Sequence, residues 1–203
     1  MFNGLIKEIS QVVNFDGKIL TLKSNLNPNL GDSIAINGAC LSVISKFNGG
    51  FSVEVSSESV KNLAIENFKD FVHSEEALKF GDKIDGHLIQ GHIDFIGEIY
   101  KISELKTGFD FYIKLPSQAM KFVANKGSIA VDGVSLTINE ILDNAIRLTI
   151  ISITMRDTLF GRYKVGRRVN IETDLLARYV ARALNLDKKG LSWEDVERIS
   201  SLY

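Results

Sequence analysis

The chain has 203 residues, 45% of them hydrophobic and 24% charged, enough for one large domain or two of about 100 residues each. A formal net charge of −1 argues against nucleic acid or an anionic membrane as partner, and no apolar run approaches the roughly 18 residues of a membrane span. The single cysteine excludes an internal disulfide and suits a reducing cytoplasm, and Lys7 and Glu8 interrupt the apolar run that a secretory leader would need.

Alternation of apolar and polar residues predicts strands over 17–24 (GKILTLKS), 33–47 (SIAINGACLSVISKF) and 49–57 (GGFSVEVSS). The same pattern returns over 109–116 (FDFYIKLP), 128–141 (SIAVDGVSLTINEI) and 145–152 (AIRLTIIS). Asn37-Gly38 and Asp132-Gly133 are hairpin turn signals, because both residue types tolerate positive φ. From Asp174, DLLARYVARALNL places Leu175, Tyr179, Ala183 and Leu186 at helical spacing, and Ser192 is a candidate N-cap for a second helix, WEDVERISSLY. Such a helix packs on a barrel or against a neighbouring subunit.

The two sets of strands are one set written twice. SIAINGACLSV (33–43) and SIAVDGVSLTI (128–138) share five of eleven residues at an offset of 95, and 55–60 matches 150–155 at the same offset. LIKEISQV (5–12) aligns with FIGEIYKI (95–102) at an offset of 90, and KFGDKID (79–85) with KVGRRVN (164–170) at 85. That alignment predicts about ten extra residues near 66–78 of the first copy, with the link between copies within 85–94. Two copies do not make a solenoid. Several short strands in each copy point to a small closed barrel. The expected division is 1–88 and 89–173 for the barrels and 174–203 for a helical, oligomerising segment.

Few residues name a chemistry by themselves. His87 and His92 in GHLIQGHID lie five residues apart, on opposite faces of a regular strand, and no Cys joins them, which argues against a metal. GDKIDGHL has P-loop glycine spacing, but His87 and Leu88 replace the required Lys and Ser/Thr. His92 reads equally as a turn histidine or as a group that moves a proton near neutrality. Cys40 reads first as a small buried hydrophobe, Ser135 and Thr137 as strand polar groups, and Asp174 as a helix N-cap.

MFNGLI, NGACLSV, GHLIQGHID, KGSIAVDGVSLTI and VNIETDLLARYVAR, in this order over about 1–185, together resemble the alpha-type riboflavin synthases. The resemblance implies an all-β fold of two tandem six-stranded Greek-key barrels with a C-terminal helix, assembled as a homotrimer. It also implies a cofactor-free, metal-free transferase reaction. Two molecules of 6,7-dimethyl-8-ribityllumazine exchange a four-carbon unit, yielding riboflavin and 5-amino-6-ribitylaminouracil, with the site between barrels of neighbouring subunits. Carried over by motif, the first barrel's pocket uses Gly4, Leu5 and Ile6, then Cys40, Leu41 and Ser42. Glu54, Val55, Ser56, Ser57, Glu58 and Ser59 follow, and Gly91, His92 and Ile93 close it. The second pocket uses Ser135, Leu136 and Thr137, then Ile150, Ile151, Ser152, Ile153, Thr154 and Met155, with Lys126 reaching in from a neighbouring chain. His92 is the implied acid/base, Ser135 and Cys40 the groups that polarise or add to the two rings, and Asp174 an orienting carboxylate.

The chain departs from the family pattern at Asn3, Ser42 and Ser59, where Thr is usual, and at Leu63, another Thr position. ISITM (151–155) replaces Ile-Pro-Glu/His-Thr-Leu, so Ser152 and Ile153 alter the second pocket. Two other readings stand beside the synthase. One is a lumazine- or flavin-carrying optical protein of the same fold, which does no chemistry. The other is an oligonucleotide-binding barrel, for which the chain lacks a basic, aromatic-lined groove.

Overall fold

The computed structural model describes residues 1–187; the expected second tail helix, from Ser192, lies outside the described residues. The first barrel comprises β1 (Glu8–Phe15), β2 (Ile19–Lys23), β3 (Ser33–Ile36), β4 (Ala39–Phe47), β5 (Gly50–Glu54) and β6 (Phe71–Glu76). The second comprises β7 (Phe95–Leu105), β8 (Gly108–Lys114), β9 (Ser128–Val131), β10 (Val134–Leu142), β11 (Ala145–Ile151) and β12 (Arg168–Thr173). Each sheet closes on itself, in the order β1-β2-β5-β4-β3-β6 and the matching order β7-β8-β11-β10-β9-β12. Closure leaves no unpaired edge to template aggregation.

Period-two burial explains why these segments become strands. Ala39, Leu41 and Val43 of β4 point into the first barrel, while Ser42 and Ile44 face outward. Leu20 and Leu22, Phe51 and Val53, and Ile34 and Ile36 complete that core, and Ile113, Ile129, Ile146, Leu148 and Val169 form its counterpart. Asn37-Gly38 and Asp132-Gly133 form two-residue hairpin turns at φ 44°/83° and 45°/83°, as their residue types require. Bulges fall at equivalent places, Val12–Asn14 and Ile99–Lys101, Val43–Ser45 and Ile138–Glu140.

The register of these strands corrects the repeat alignment. Glu8 pairs with Ser74 and Phe95 with Ile171, so the first strands correspond at an offset of 87 rather than 90, and the last strands at 97. The 79–85 and 164–170 segments are not equivalent. Lys79–Asp82 is a turn after β6, whereas Lys164–Gly166 precedes β12. No ten-residue insertion separates the copies. Instead the second carries two more residues before its last strand, since the offset rises from 95 between the short helices to 97. Those helices are α1 (Ser57–Asn62) and α2 (Ser152–Asp157). Leu63, at the end of α1, packs into the first core, while its counterpart Thr158 donates its hydroxyl to the Thr154 carbonyl.

The barrels meet along a seam with approximate twofold character. A Cβ on Gly38 would stand 2.6 Å from the Gly133 nitrogen, and one on Gly133 would stand 2.8 Å from that of Gly38. Only glycine allows the two turns this approach at positive φ. His73 of β6 and Asn170 of β12 then make matching bonds across the seam. His73 bridges the Asp132 carbonyl (Nδ1, 2.9 Å) and the Leu159 N–H (Nε2, 2.8 Å). Asn170 bridges the Asn37 carbonyl (Nδ2, 2.9 Å) and the Ala64 N–H (Oδ1, 2.8 Å).

The tail helix α3 (Leu175–Asp187) lies against the 3₁₀ turn Ser117–Phe122 of the second barrel. On its docked side Arg178 pairs with Asp94 at 2.8 Å, while Leu176, Tyr179, Val180, Ala183 and Leu184 are exposed, the side left for a neighbouring subunit.

Candidate active site at the barrel seam

The segments preceding β1 and β7 are two arms, and each serves the barrel it does not belong to. The Gly4 carbonyl accepts the Ser135 N–H of the second barrel (3.0 Å), and Ile6 packs on that barrel's core. Reciprocally, the Gly91 carbonyl accepts the Cys40 N–H of the first barrel (2.8 Å), and Ile93 packs on the first core. The arms cross at Phe2 and Ile89, which exchange both backbone hydrogen bonds. Both arm glycines hold positive φ, +78° and +80°, and a Cβ would overlap Ser135 or Cys40.

This exchange corrects the expected pocket assignment. Gly4, Leu5 and Ile6 line a cleft of about 260 Å³ with Ser135, Ile153 and Thr154 of the second barrel, not with Cys40. Gly91 sits against Cys40, with α1 as the first barrel's counterpart of α2. Several of the carried-over positions are core side chains rather than pocket walls. Leu41, Val55 and Ile150 point into the barrels. Leu136 packs partly against the second core, and Met155 does the same.

Around the first pocket, Ser56 caps α1 through the Ser59 N–H, while Ser57 and Glu58 are exposed in its first turn. Ser42 is exposed, and Glu54 pairs with Lys18 at 3.3 Å on the surface. Around the second pocket, Thr137 and Ile151 face outward, and Ser152 is the first residue of α2. That is the helix position where proline is favoured, so its loss acts on the helix start, whereas the exposed Ile153 gives the cleft an apolar wall. Lys126 occupies an exposed turn at φ 65°, apart from either pocket's lining within the chain.

Ser135 has a partner that no sequence motif announces: its Oγ lies 2.7 Å from Nδ1 of His87. The two are 48 positions apart, and no periodicity links them. Burial lowers the His87 pKa and the Asp174 charge opposes that shift, while Nε2 is buried without a hydrogen-bond partner among the described residues. A neutral imidazole on a hydroxyl is an arrangement for moving a proton. Asp174 caps α3 through the Leu176 and Ala177 N–H groups, as its reading as a helix N-cap requires. His92 is exposed, and its N–H donates to Glu172. Following Gly91, it stands on the arm that serves Cys40, so His92 and Ser135 belong to different pockets of one chain. Among the described residues no three His, Cys, Asp or Glu side chains are grouped to hold a metal.

Two like barrels, each completed by the other's arm, with Ser135 and Cys40 where the arm glycines meet them, define a tandem-barrel protein of duplicated domains. Comparison with known proteins gives those domains their class. The lumazine binding domain family matches residues 3–75 and again 90–174. The riboflavin synthase of Photobacterium phosphoreum is 34% identical over 198 residues, spanning 93% of this chain and 91% of its own. That of Buchnera aphidicola subsp. Schizaphis graminum is 38% identical over 204 residues, spanning 95% and 98%. A crystal structure of LumP complexed with riboflavin superposes with a TM-score of 0.76 at 20% identity, over 85% of this chain and 99% of that one. The chain belongs to the riboflavin synthase family of tandem lumazine-binding domains.

Proposed function

We propose that this chain is a riboflavin synthase that seats two molecules of 6,7-dimethyl-8-ribityllumazine in its two kinds of pocket and moves a four-carbon unit from one to the other. The products, riboflavin and 5-amino-6-ribitylaminouracil, account for every atom of the two substrates. The observation that carries the reading is the exchanged pair of arms. It builds two variants of one pocket, as a reaction between two copies of one molecule requires. Holding the rings in register converts a bimolecular encounter into an oriented one, worth up to about 7–11 kcal/mol of barrier.

The chemistry needs a proton removed from one 7-methyl group and a nucleophile added to the other ring. His87 on Ser135 is placed to take and return a proton at the second pocket, at a distance of 2.7 Å. Cys40 holds the matching place in the first pocket, with His92 as the titratable group on its arm. If His92→Gln left the turnover number intact, that part of the assignment would be wrong.

A working site between the first barrel of one subunit and the second barrel of another, with Lys126 contributed across it, requires assembly. The apolar face Leu176, Tyr179, Val180 and Leu184, more than half exposed on the isolated chain, supports a homotrimer closed by α3. Functional units of 1–88 and 89–173 with an oligomerising tail from 174 fit this scheme, as does a reducing cytoplasm for the free Cys40. No helix among the described residues is long and apolar enough to cross a membrane. The test is incubation with the lumazine alone. A flavin absorption band supports the synthase, and tight binding without that band identifies a chromophore carrier instead.

A further inference from the structure

Two carboxylates, unused by the chemistry above, sit at equivalent places in the barrels. Glu75 on β6 and Glu172 on β12 are 2% and 1% exposed, an expensive location for ionisable side chains. Neither forms its main contacts with another side chain. Glu75 accepts the N–H of Asn3 (Oε1, 2.8 Å) and of Gly4 (Oε2, 3.1 Å). Glu172 accepts those of Gln90 (2.7 Å), Gly91 (2.8 Å) and His92 (3.0 Å), with Arg178 of α3 at 3.7 Å. Each carboxylate therefore grips the backbone of one arm on its donor side.

The acceptor side of each arm leads to the reacting groups. The Asn3 carbonyl receives the His87 N–H (3.2 Å) and the Gly4 carbonyl receives the Ser135 N–H (3.0 Å), so both members of the second pocket's pair hang from the arm that Glu75 holds. The Gly91 carbonyl likewise receives the Cys40 N–H. Sheet register runs the other way. Glu75 lies in one row with Ala35 and Cys40, and Glu172 in one row with Ala130 and Ser135. The alanines opposite the carboxylates leave room for both side chains to reach an arm. If the carboxylates acted only through their own barrels, Glu75 would serve Cys40. If they act through the arms, Glu75 serves Ser135.

We propose that Glu75 and Glu172 are crossed positioning residues: Glu75 of the first barrel sets the His87–Ser135 geometry of the second pocket, and Glu172 of the second barrel sets Cys40 in the first. This rests on the two-pocket reading above. The carboxylates touch no substrate. They fix peptide groups that fix the groups which do.

The test is a set of double-mutant cycles on kcat/KM for the lumazine, joining Glu75→Gln and Glu172→Gln in turn with Ser135→Ala and Cys40→Ala. A glutamine amide turns a donor toward the arm's N–H groups, and displacing an arm at this range is expected to lower kcat/KM by about 10²-fold. E75Q should then be nearly silent on an S135A background and keep its full effect on C40A, multiplying to within about twofold, as independent sites do. E172Q should show the reverse pattern. Coupling within each barrel, or independence of all pairs with only a lowered Tm, overturns the proposal.

Should the unmodified protein make no riboflavin, the synthase reading falls and the crossing is still decided by NMR. Bound riboflavin must then lose its shift of the Ser135 amide in E75Q and of the Cys40 amide in E172Q. Should a Gln variant fail to fold, the unmodified protein decides. Riboflavin must shift the Asn3 and Gly4 amides together with Ser135, and the Gln90–His92 amides together with Cys40. The opposite grouping refutes the crossing.

Discussion

His73 should make the protein acid-labile, and its replacement by asparagine should remove that lability. The imidazole is fully buried in the barrel seam, and burial holds its pKa at about 4, against the usual 6.5. Its two nitrogens are committed to a carbonyl and an N–H, which fixes the neutral tautomer; a second proton on Nε2 would oppose the Leu159 N–H. Between pH 6.5 and 4 the unfolded chain binds the proton that the folded one refuses, so stability is present above 6.5 and falls as the pH drops through that window. At about 1.36 kcal/mol per pH unit, refusing the proton across that window corresponds to about 3 kcal/mol.

Asn170 shows that an asparagine makes the equivalent pair of bonds from the equivalent strand position. His73→Asn should therefore keep the pairing, add a constant penalty for lost volume, and flatten the pH dependence. The assay is urea unfolding at one protein concentration and at pH 7.5, 6, 5 and 4.5, comparing variant with parent. The difference between the two stabilities should change by roughly 2–3 kcal/mol over that range. Parallel curves would refute the argument. Glu75, pushed by burial up to about 7 against its two arm N–H bonds, contributes the opposite slope between 4.5 and 7, but it is common to both proteins and cancels.

Further expectations concern the seam, the site and the tail. Gly38→Ala should destabilise by about 2–4 kcal/mol, since a Cβ meets the Gly133 backbone at positive φ, whereas Gly49→Ala, at the same φ with open space around it, should cost only about 1 kcal/mol; thermal melts compare them. His87→Gln should lower kcat by about 10²-fold or more, with lumazine affinity much less changed, as single-turnover and binding measurements would show. If the exposed face of α3 closes the proposed homotrimer, Val180→Glu should lower the mass seen by light scattering and abolish turnover with it.

The local code of this fold was legible because its signals are short. Asn37-Gly38 and Asp132-Gly133 announce hairpins within two residues, and the alternation around Leu41 and Leu148 announces strands. What depends on register was read less well. KFGDKID and KVGRRVN look alike because both carry a Lys-x-Gly turn, and aligning them hid the true match, Val72-x-x-Glu75 with Val169-x-x-Glu172. A second slip, LIKEISQV against FIGEIYKI at 90 rather than 87, masked Gly4-Leu5-Ile6 against Gly91-His92-Ile93, from which the arm exchange follows. His87 with Ser135 left no trace, since the pair exists only after both barrels have closed.

A synthase of this kind consumes two lumazines for each riboflavin it makes. The direct measurement is the stoichiometry of the purified protein acting on 6,7-dimethyl-8-ribityllumazine alone, with substrate, riboflavin and the ribitylaminouracil quantified together by chromatography. Two substrates should be lost for one of each product, from a protein that binds the ligand in two distinguishable sites. Saturable binding with no change in the ligand, or riboflavin formed one-for-one from the lumazine, would contradict the synthase reading.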